Sequence, residues 1–423
     1  MSREMVNSGI AWIGEIPKDW SIMPHKRVMY KVKEIQEHYN GEKILSLTMR
    51  GVIVRDLDAG GKMPTSFDGY QKVYPNNLLQ CLFDIDVTPR CVGLIKHEGL
   101  TSPAYSQFAM YPNGYAPYYD YLLRYMDDGK TLLHLSKNLR NSLTETDFGA
   151  IYTCVPSSIE EQQKIAEFLD RKCSEIDEMI GLQEQIIEEL KAYKQSVITE
   201  AVTKGLKPNA PMRDSGIEWI GEIPEHWRIG KIKMIAKTNS GSTPKTISQT
   251  EESSIVWIRT TDINDNLVTD SSLHLTQEEL NSASCPMLNK DVCVVAMYGG
   301  GGTIGKCGIL GVEATINQAL CSIEVKSFHL GAFMFWTLRA TRYNWMKFAV
   351  GTRKDPNISQ EIVRNYIVPI PPIEEQQKIS DYLNTQCTEI DNLISIKQSK
   401  IDSLKEYKKS IIYEYVTGKR GVE

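Results

Sequence analysis

The sequence predicts an α+β protein with a pseudo-two-fold internal repeat: two variable α/β domains separated by two long helices packed as an antiparallel coiled coil. Three observations carry this. The segment SGIAWIGEIPKDW at residues 8–20 returns as SGIEWIGEIPEHW at residues 215–227, ten identities in thirteen positions at an offset of 207. Residues 159–177 return as residues 373–391, twelve identities in nineteen at an offset of 214, and both copies begin IEEQQKI. After each IEEQQKI, apolar residues recur on a three-four spacing uninterrupted by proline. The repeats bracket two stretches, 21–158 and 228–372, that have little else in common, so the unit is an aromatic segment, a variable domain and a long helix, occurring twice.

The chain accordingly divides into residues 1–158, the N-terminal segment and first variable domain, and residues 159–206, the first helix. Residues 207–372 form a linker segment and second variable domain, and residues 373–423 the second helix and C-terminal tail. In the first helix Ile176, Met179, Ile186, Leu190, Tyr193 and Val197 form the expected apolar stripe, and in the second Ile390, Leu393, Ile401, Leu404, Tyr407 and Ile411. A proline-free run of this length would reach roughly 66 Å at 1.5 Å per residue. Such a helix cannot bury its stripe alone, so the two copies are expected to pack on each other; a homodimeric coiled coil is the alternative. Gly181 is the expected weak point of the first helix. Gln183 and Lys397 fall at equivalent seam positions, where polar residues fix register.

Within the variable stretches, residues 44–54, 77–92, 256–263 and 291–298 are rich in β-branched and aromatic residues and read as strands, whereas 330–348 reads as a helix with a basic, aromatic end. At 423 residues the chain is too long for one ordinary core. A 41% hydrophobic and 24% charged composition, without any bilayer-length apolar run, is that of a soluble protein rather than a membrane protein. No secretory signal is visible, and nine cysteines without C-x-x-C or zinc spacing fit a reducing compartment, so a cytoplasmic location is expected.

One stretch invites a catalytic reading. GGGTIGKC at residues 300–307 satisfies G-x-x-x-x-G-K after a predicted strand. Cys307 replaces the magnesium-binding hydroxyl, and Gly308 and Gly311 interrupt the helix that should receive the phosphate. A glycine-rich hairpin with Lys306 at its tip is the better reading than nucleotide hydrolysis. There is no [NDS]-P-P-[YFW] methyltransferase motif, and Glu324 and Lys326 lack the preceding Pro-Asp of a nuclease set. The seven histidines are scattered without ligand spacing. No catalytic residue, metal site or bound cofactor is expected in this chain.

The doubled SGIxWIGEIPxxW and IEEQQKI segments, together with SGSTPKTISQ, VWIRTTDIND, GGGTIGKC and INQAL in the second variable stretch, resemble the DNA-specificity subunit of type I restriction-modification systems. YxxVYPNN at 70–77, DxDxTPR at 84–90 and TSPAY at 101–105 extend the resemblance to the first stretch, and so to essentially the whole chain. The resemblance implies that the variable stretches are target recognition domains, each reading one half of an asymmetric, bipartite double-stranded DNA target. It implies partners too: two adenine-N6 methyltransferase subunits and restriction/translocase subunits, which would bind S-adenosylmethionine, ATP and Mg. The pattern departs at Ser157 and Ser158, where the family usually carries the Pro-Pro of residues 371 and 372. The rival from another class is a coiled-coil scaffold that binds protein only.

A net charge of −5 is unexpected for a DNA binder, but it is unevenly spread. Residues 228–372 carry 15 Lys and Arg against 12 Asp and Glu, and residues 159–205 carry 6 against 11. The candidate DNA-binding residues are Arg50, Arg55, Lys62, Arg90, Lys137 and Arg140 in the first domain. In the second they are Thr243, Lys245, Arg259, Lys306, Arg342, Arg353 and Lys354, the last three among aromatics that include Trp345.

Overall fold

The computed structural model describes residues 3–59, 64–88, 90–135, 141–283, 285–299, 302–351 and 356–422. Two compact units emerge. Unit 1 comprises residues 1–184 and 399–423, and unit 2 residues 185–398, so the division falls inside both long helices.

In unit 1 the sheet is made by β1 (Met29–Val32), β4 (Leu78–Gln80), β5 (Val92–Leu94) and β6 (Ser106–Met110), with β2 (Leu45–Thr48) and β3 (Gly51–Val54) forming a separate hairpin. The strand order is β1-β6-β4-β5, all antiparallel. Helix α1 (Ala116–Asp128) covers it, burying Tyr118, Tyr119, Leu122, Leu123 and Met126, the i, i+3, i+4 set of an amphipathic helix.

Unit 2 contains β7 (Ala236–Ser240), β8 (Ile255–Ile258), β9 (Asn266–Val268), β10 (Cys293–Ala296), β11 (Cys307–Leu310), β12 (Thr315–Ile316) and β13 (Leu320–Val325), then α3 (Gly331–Thr341). Its main sheet runs β7-β13-β10-β11-β9, the order of unit 1 with β9 added in parallel at the edge. The predicted helix over 330–348 ends at Thr341 and continues as a 3-10 turn over Arg342–Phe348, in which Trp345 is fully buried.

Helix α2 (Ile159–Lys204, 46 residues) runs through Gly181, and α4 (Ile373–Val416) spans 44 residues. In unit 1 the halves pair antiparallel: Phe168 stacks on Tyr415 at 4.3 Å and Lys408 binds Asp177 at 2.6 Å. In unit 2 Lys194 binds Asp391 at 2.6 Å. Shifted by 214, these two ion pairs are one contact repeated. The expected seam is right at Ile176, Ile390, Ile401, Leu404 and Ile411, which are buried, and Gln183 and Lys397 are half-buried on it. It is wrong at Met179, Tyr193, Leu393 and Tyr407, which are exposed, while Ile187 and Ile198 are buried instead. A three-four spacing is satisfied by two adjacent stripes, and Lys194 and Lys408 hold seam positions that an apolar count passes over.

The repeated segments meet each other. Trp20 donates its indole N–H to Glu161 at 3.1 Å in unit 1, and Trp227 donates to Glu375 at 3.0 Å in unit 2. The next residue of each motif is a buried glutamine. Gln162 accepts from the backbone N–H of Tyr115 at 2.8 Å and donates to Asn113 O at 3.0 Å, holding the entry to α1. Gln376 accepts from Leu330 N–H at 2.9 Å and donates to Pro371 O at 2.9 Å, holding the entry to α3. The first turn of a helix leaves backbone groups unpartnered, and a buried side-chain amide can satisfy the chain that leads into it. At the departure from the family pattern, the Ser158 hydroxyl accepts from Glu161 N–H at 3.1 Å, a side-chain cap that the proline at 372 cannot supply.

Candidate nucleic-acid interface

Strand register fixes which loops share an end of each sheet. In unit 2 Ser240 pairs with Cys321, Ala296 with Leu320, Val295 with Cys307 and Asn266 with Gly308. The connections after β7, before β9, between β10 and β11, and before β13 therefore leave from one end. They are laced together there: Ser242 N–H donates to Ile316 O at 3.1 Å, and Asn317 N–H to Ile258 O at 3.0 Å. Gly241 is required, since a Cβ there would lie 1.9 Å from Ile316 O.

This end collects Thr243, Lys245, Arg259, Lys306 and Arg342. The Thr243 hydroxyl donates to Gln318, an exposed residue on the turn before β13. Lys245 is exposed. Arg259 is partly engaged, by Asp262 at 3.5 Å and by the Ser272 hydroxyl at 2.7 Å. Arg342 forms an ion pair with Asp265. The stretch 300–307 is not a phosphate-binding loop, because β11 rather than a helix follows it. Lys306 lies at the root of the β10–β11 hairpin, not its tip, with its carbonyl accepting from Ala296 N–H at 2.8 Å. Arg353 and Lys354 lie outside the described residues.

In unit 1 Val32 pairs with Gln107 and Gln80 with both Ser106 and Val92, so the β4–β5 connection and the loop before β6 share an end in the same way. Arg50 is exposed at the turn between β2 and β3. Arg55 lies at the far end of β3, its N–H donating to Ile44 O at 2.7 Å. Arg90 does not stand free: it is 13% exposed and bound to Asp127 at 3.3 Å and Asp128 at 2.9 Å, which ties the hairpin to the end of α1. Lys62, Lys137 and Arg140 lie outside the described residues.

The sequence reading passed over Asn264 and Gln318, two amides at the loop end of unit 2. An amide can bond to a base edge or to the DNA backbone, but an isolated one in the sequence carries no signal of its own. It also passed over the structural role of the glutamines in IEEQQ. Charge at the frame is tuned by the same contacts. Burial pushes the Glu375 carboxyl up, but hydrogen bonds from Trp227 and His226 outweigh it and leave the group below the ordinary range. His25 and His329 are buried, and loss of hydration lowers each imidazole to about 4. Among the described residues there is no cluster of His, Cys, Asp or Glu fit to hold a metal ion, and no helix is long and apolar enough to cross a membrane.

The fold and the loop-bearing sheet ends define a class: duplicated α/β domains carried on paired helices. Residues 224–406 match the family model of the type I restriction modification DNA specificity domain. The chain is 28% identical over 269 residues to the type I restriction enzyme MjaVIII specificity subunit of Methanocaldococcus jannaschii, an alignment covering 62% of this chain and 60% of that one. It shares its fold with a chain from the structural work on complex assembly and conformational transition of the type I R-M system. There the TM-score is 0.74 at 13% identity, over 95% of this chain and 98% of the other. The HsdS subunit from Thermoanaerobacter tengcongensis is similar with a TM-score of 0.55 at 14% identity, over 96% and 98%.

Proposed function

We propose that this chain is the DNA-specificity subunit of a type I restriction-modification complex, reading an asymmetric bipartite duplex with one recognition domain per half-site. The observation that carries the reading is the shared strand order of two units whose sequences differ, with different polar and cationic loops gathered at one end of each sheet. A conserved scaffold with exchanged loops is what two unrelated half-sites require. The chain performs no chemistry itself. Methyl transfer to adenine and ATP-dependent cleavage belong to partner subunits, which hold S-adenosylmethionine, ATP and Mg. Docking of those partners draws on apolar residues exposed at equivalent places on the two helices: Met179 and Leu393, Leu182 and Ile396, Tyr193 and Tyr407. All nine cysteines are free and buried, which suits work on DNA in the cytoplasm.

The test is binding of the full chain, with its methyltransferase partner, to duplex DNA across a salt series. The expected result is an affinity that falls steeply and linearly in log–log form, as phosphate contacts require. A flat response would leave the protein-binding scaffold as the better account.

A further inference from the structure

A cavity of about 280 Å³ opens in unit 2 between the β10–β11 hairpin, the turn before β9 and the 3-10 segment after α3. Its polar side is Asn264, Lys306 and Arg342, and its apolar wall Ile304, Tyr343 and Met346. The segments that carry them are tied together. Asp265 accepts from the Cys307 N–H at 3.1 Å and pairs with Arg342, so one carboxylate joins the hairpin to the segment after α3. Gly305 permits the close approach, because a Cβ there would lie 2.6 Å from both Arg342 O and the Trp345 ring.

The charges are not equivalent. The guanidinium of Arg342 is neutralised by Asp265, and its other arm reaches Gly302 O at 3.4 Å. Lys306 Nζ has no hydrogen bond or ion pair among the described residues, nor has the Asn264 side chain. The cavity therefore offers one uncompensated cation and one free amide beside an apolar wall. An ammonium is a compact charge without the planar fork that reads a base edge, and it suits a phosphate oxygen. We infer that this cavity seats one phosphodiester of the DNA strand, with its deoxyribose against Ile304, Tyr343 and Met346. The contact is blind to sequence: it positions unit 2 on the duplex while the neighbouring loops read bases. This rests on the DNA-reading function proposed above.

The test compares the full chain with its Lys306→Ala, Lys306→Arg and Asn264→Ala variants. Binding to random duplex is measured across a salt series, and the preferred sequence is selected from a randomised duplex pool. K306A should lower the slope of log affinity against log salt by about 0.9, the share of one phosphate, and K306R should keep it. N264A should weaken binding by up to about fivefold at every salt concentration without changing the slope. The selected sequence should be the same in all four proteins. An unchanged slope in K306A, with the normal salt dependence of the parent chain, would overturn the phosphate seat alone; so would a changed base preference, since Lys306 would then be a reader. Absence of salt-dependent binding in the parent chain would overturn the DNA-reading function, and this seat with it.

Discussion

Units 1 and 2 carry the same four-strand order, β1-β6-β4-β5 and β7-β13-β10-β11, yet their sheets share little sequence. Identity is confined to the segments that hold the sheet to its helices: Trp20 on Glu161 and Gln162 on the entry to α1, then Trp227 on Glu375 and Gln376 on the entry to α3. A strand needs only an apolar face and compatible neighbours, which many sequences supply, whereas a buried glutamine bonded to a given N–H and carbonyl tolerates no substitute. The difference teaches where the constraint lies. The frame is fixed by a few directional contacts, and the domains inside it are free to diverge.

If the frames are equivalent, breaking them should cost the same. Gln162→Ala and Gln376→Ala each remove the side-chain partner of one backbone N–H and one carbonyl, and each should lower stability by about 3 kcal/mol in urea denaturation of the full chain. A loss confined to one of them would break the equivalence.

Acid should act next most strongly. His25 and His329 are held neutral by burial at about 4, below the 6.5 of the free side chain. The unfolded chain therefore binds more protons between those values, and stability falls as pH drops from about 6.5 to 4 and levels off below. Each imidazole contributes up to about 3 kcal/mol to that fall. Replacing His329 with Leu should flatten the acid limb of the stability profile, and an unchanged limb would show that this imidazole takes up its proton within the fold.

Lys194→Ala and Lys408→Ala should have the smallest effects. The partners Asp391 and Asp177 are well exposed, so each pair is worth at most about 1 kcal/mol and less at high salt. Matching losses in thermal melts would sharpen the repeat, and a loss several times larger in one would show that its helix half relies on the pair for register.

Much of the frame was legible in the sequence because it is written in repetition: two aromatic segments, two helix starts and a continuous periodicity in each helix. The phase of the seam was not, since Met179 and Tyr193 satisfy the spacing as well as Ile187 and Ile198 do. The candidate interface was legible only in outline. Sequence shows a cation but not its partner, and Arg90 is answered by Asp127 and Asp128, Arg342 by Asp265, across 37 to 77 residues of chain. Gln318 and Asn264 gave no signal of their own, because an isolated amide becomes informative only when strand register brings it to the loop end of a sheet.

The central claim of the proposed function, that each variable domain reads its own half-site within an interchangeable frame, is tested most directly by exchanging residues 228–372 for the corresponding domain of a type I specificity subunit. Methylated adenines are then mapped across the genome of cells expressing the hybrid with the modification partner. The account predicts that one half of the methylated sequence changes to that of the donor while the other half is retained. A change in both halves, or in neither, would contradict it.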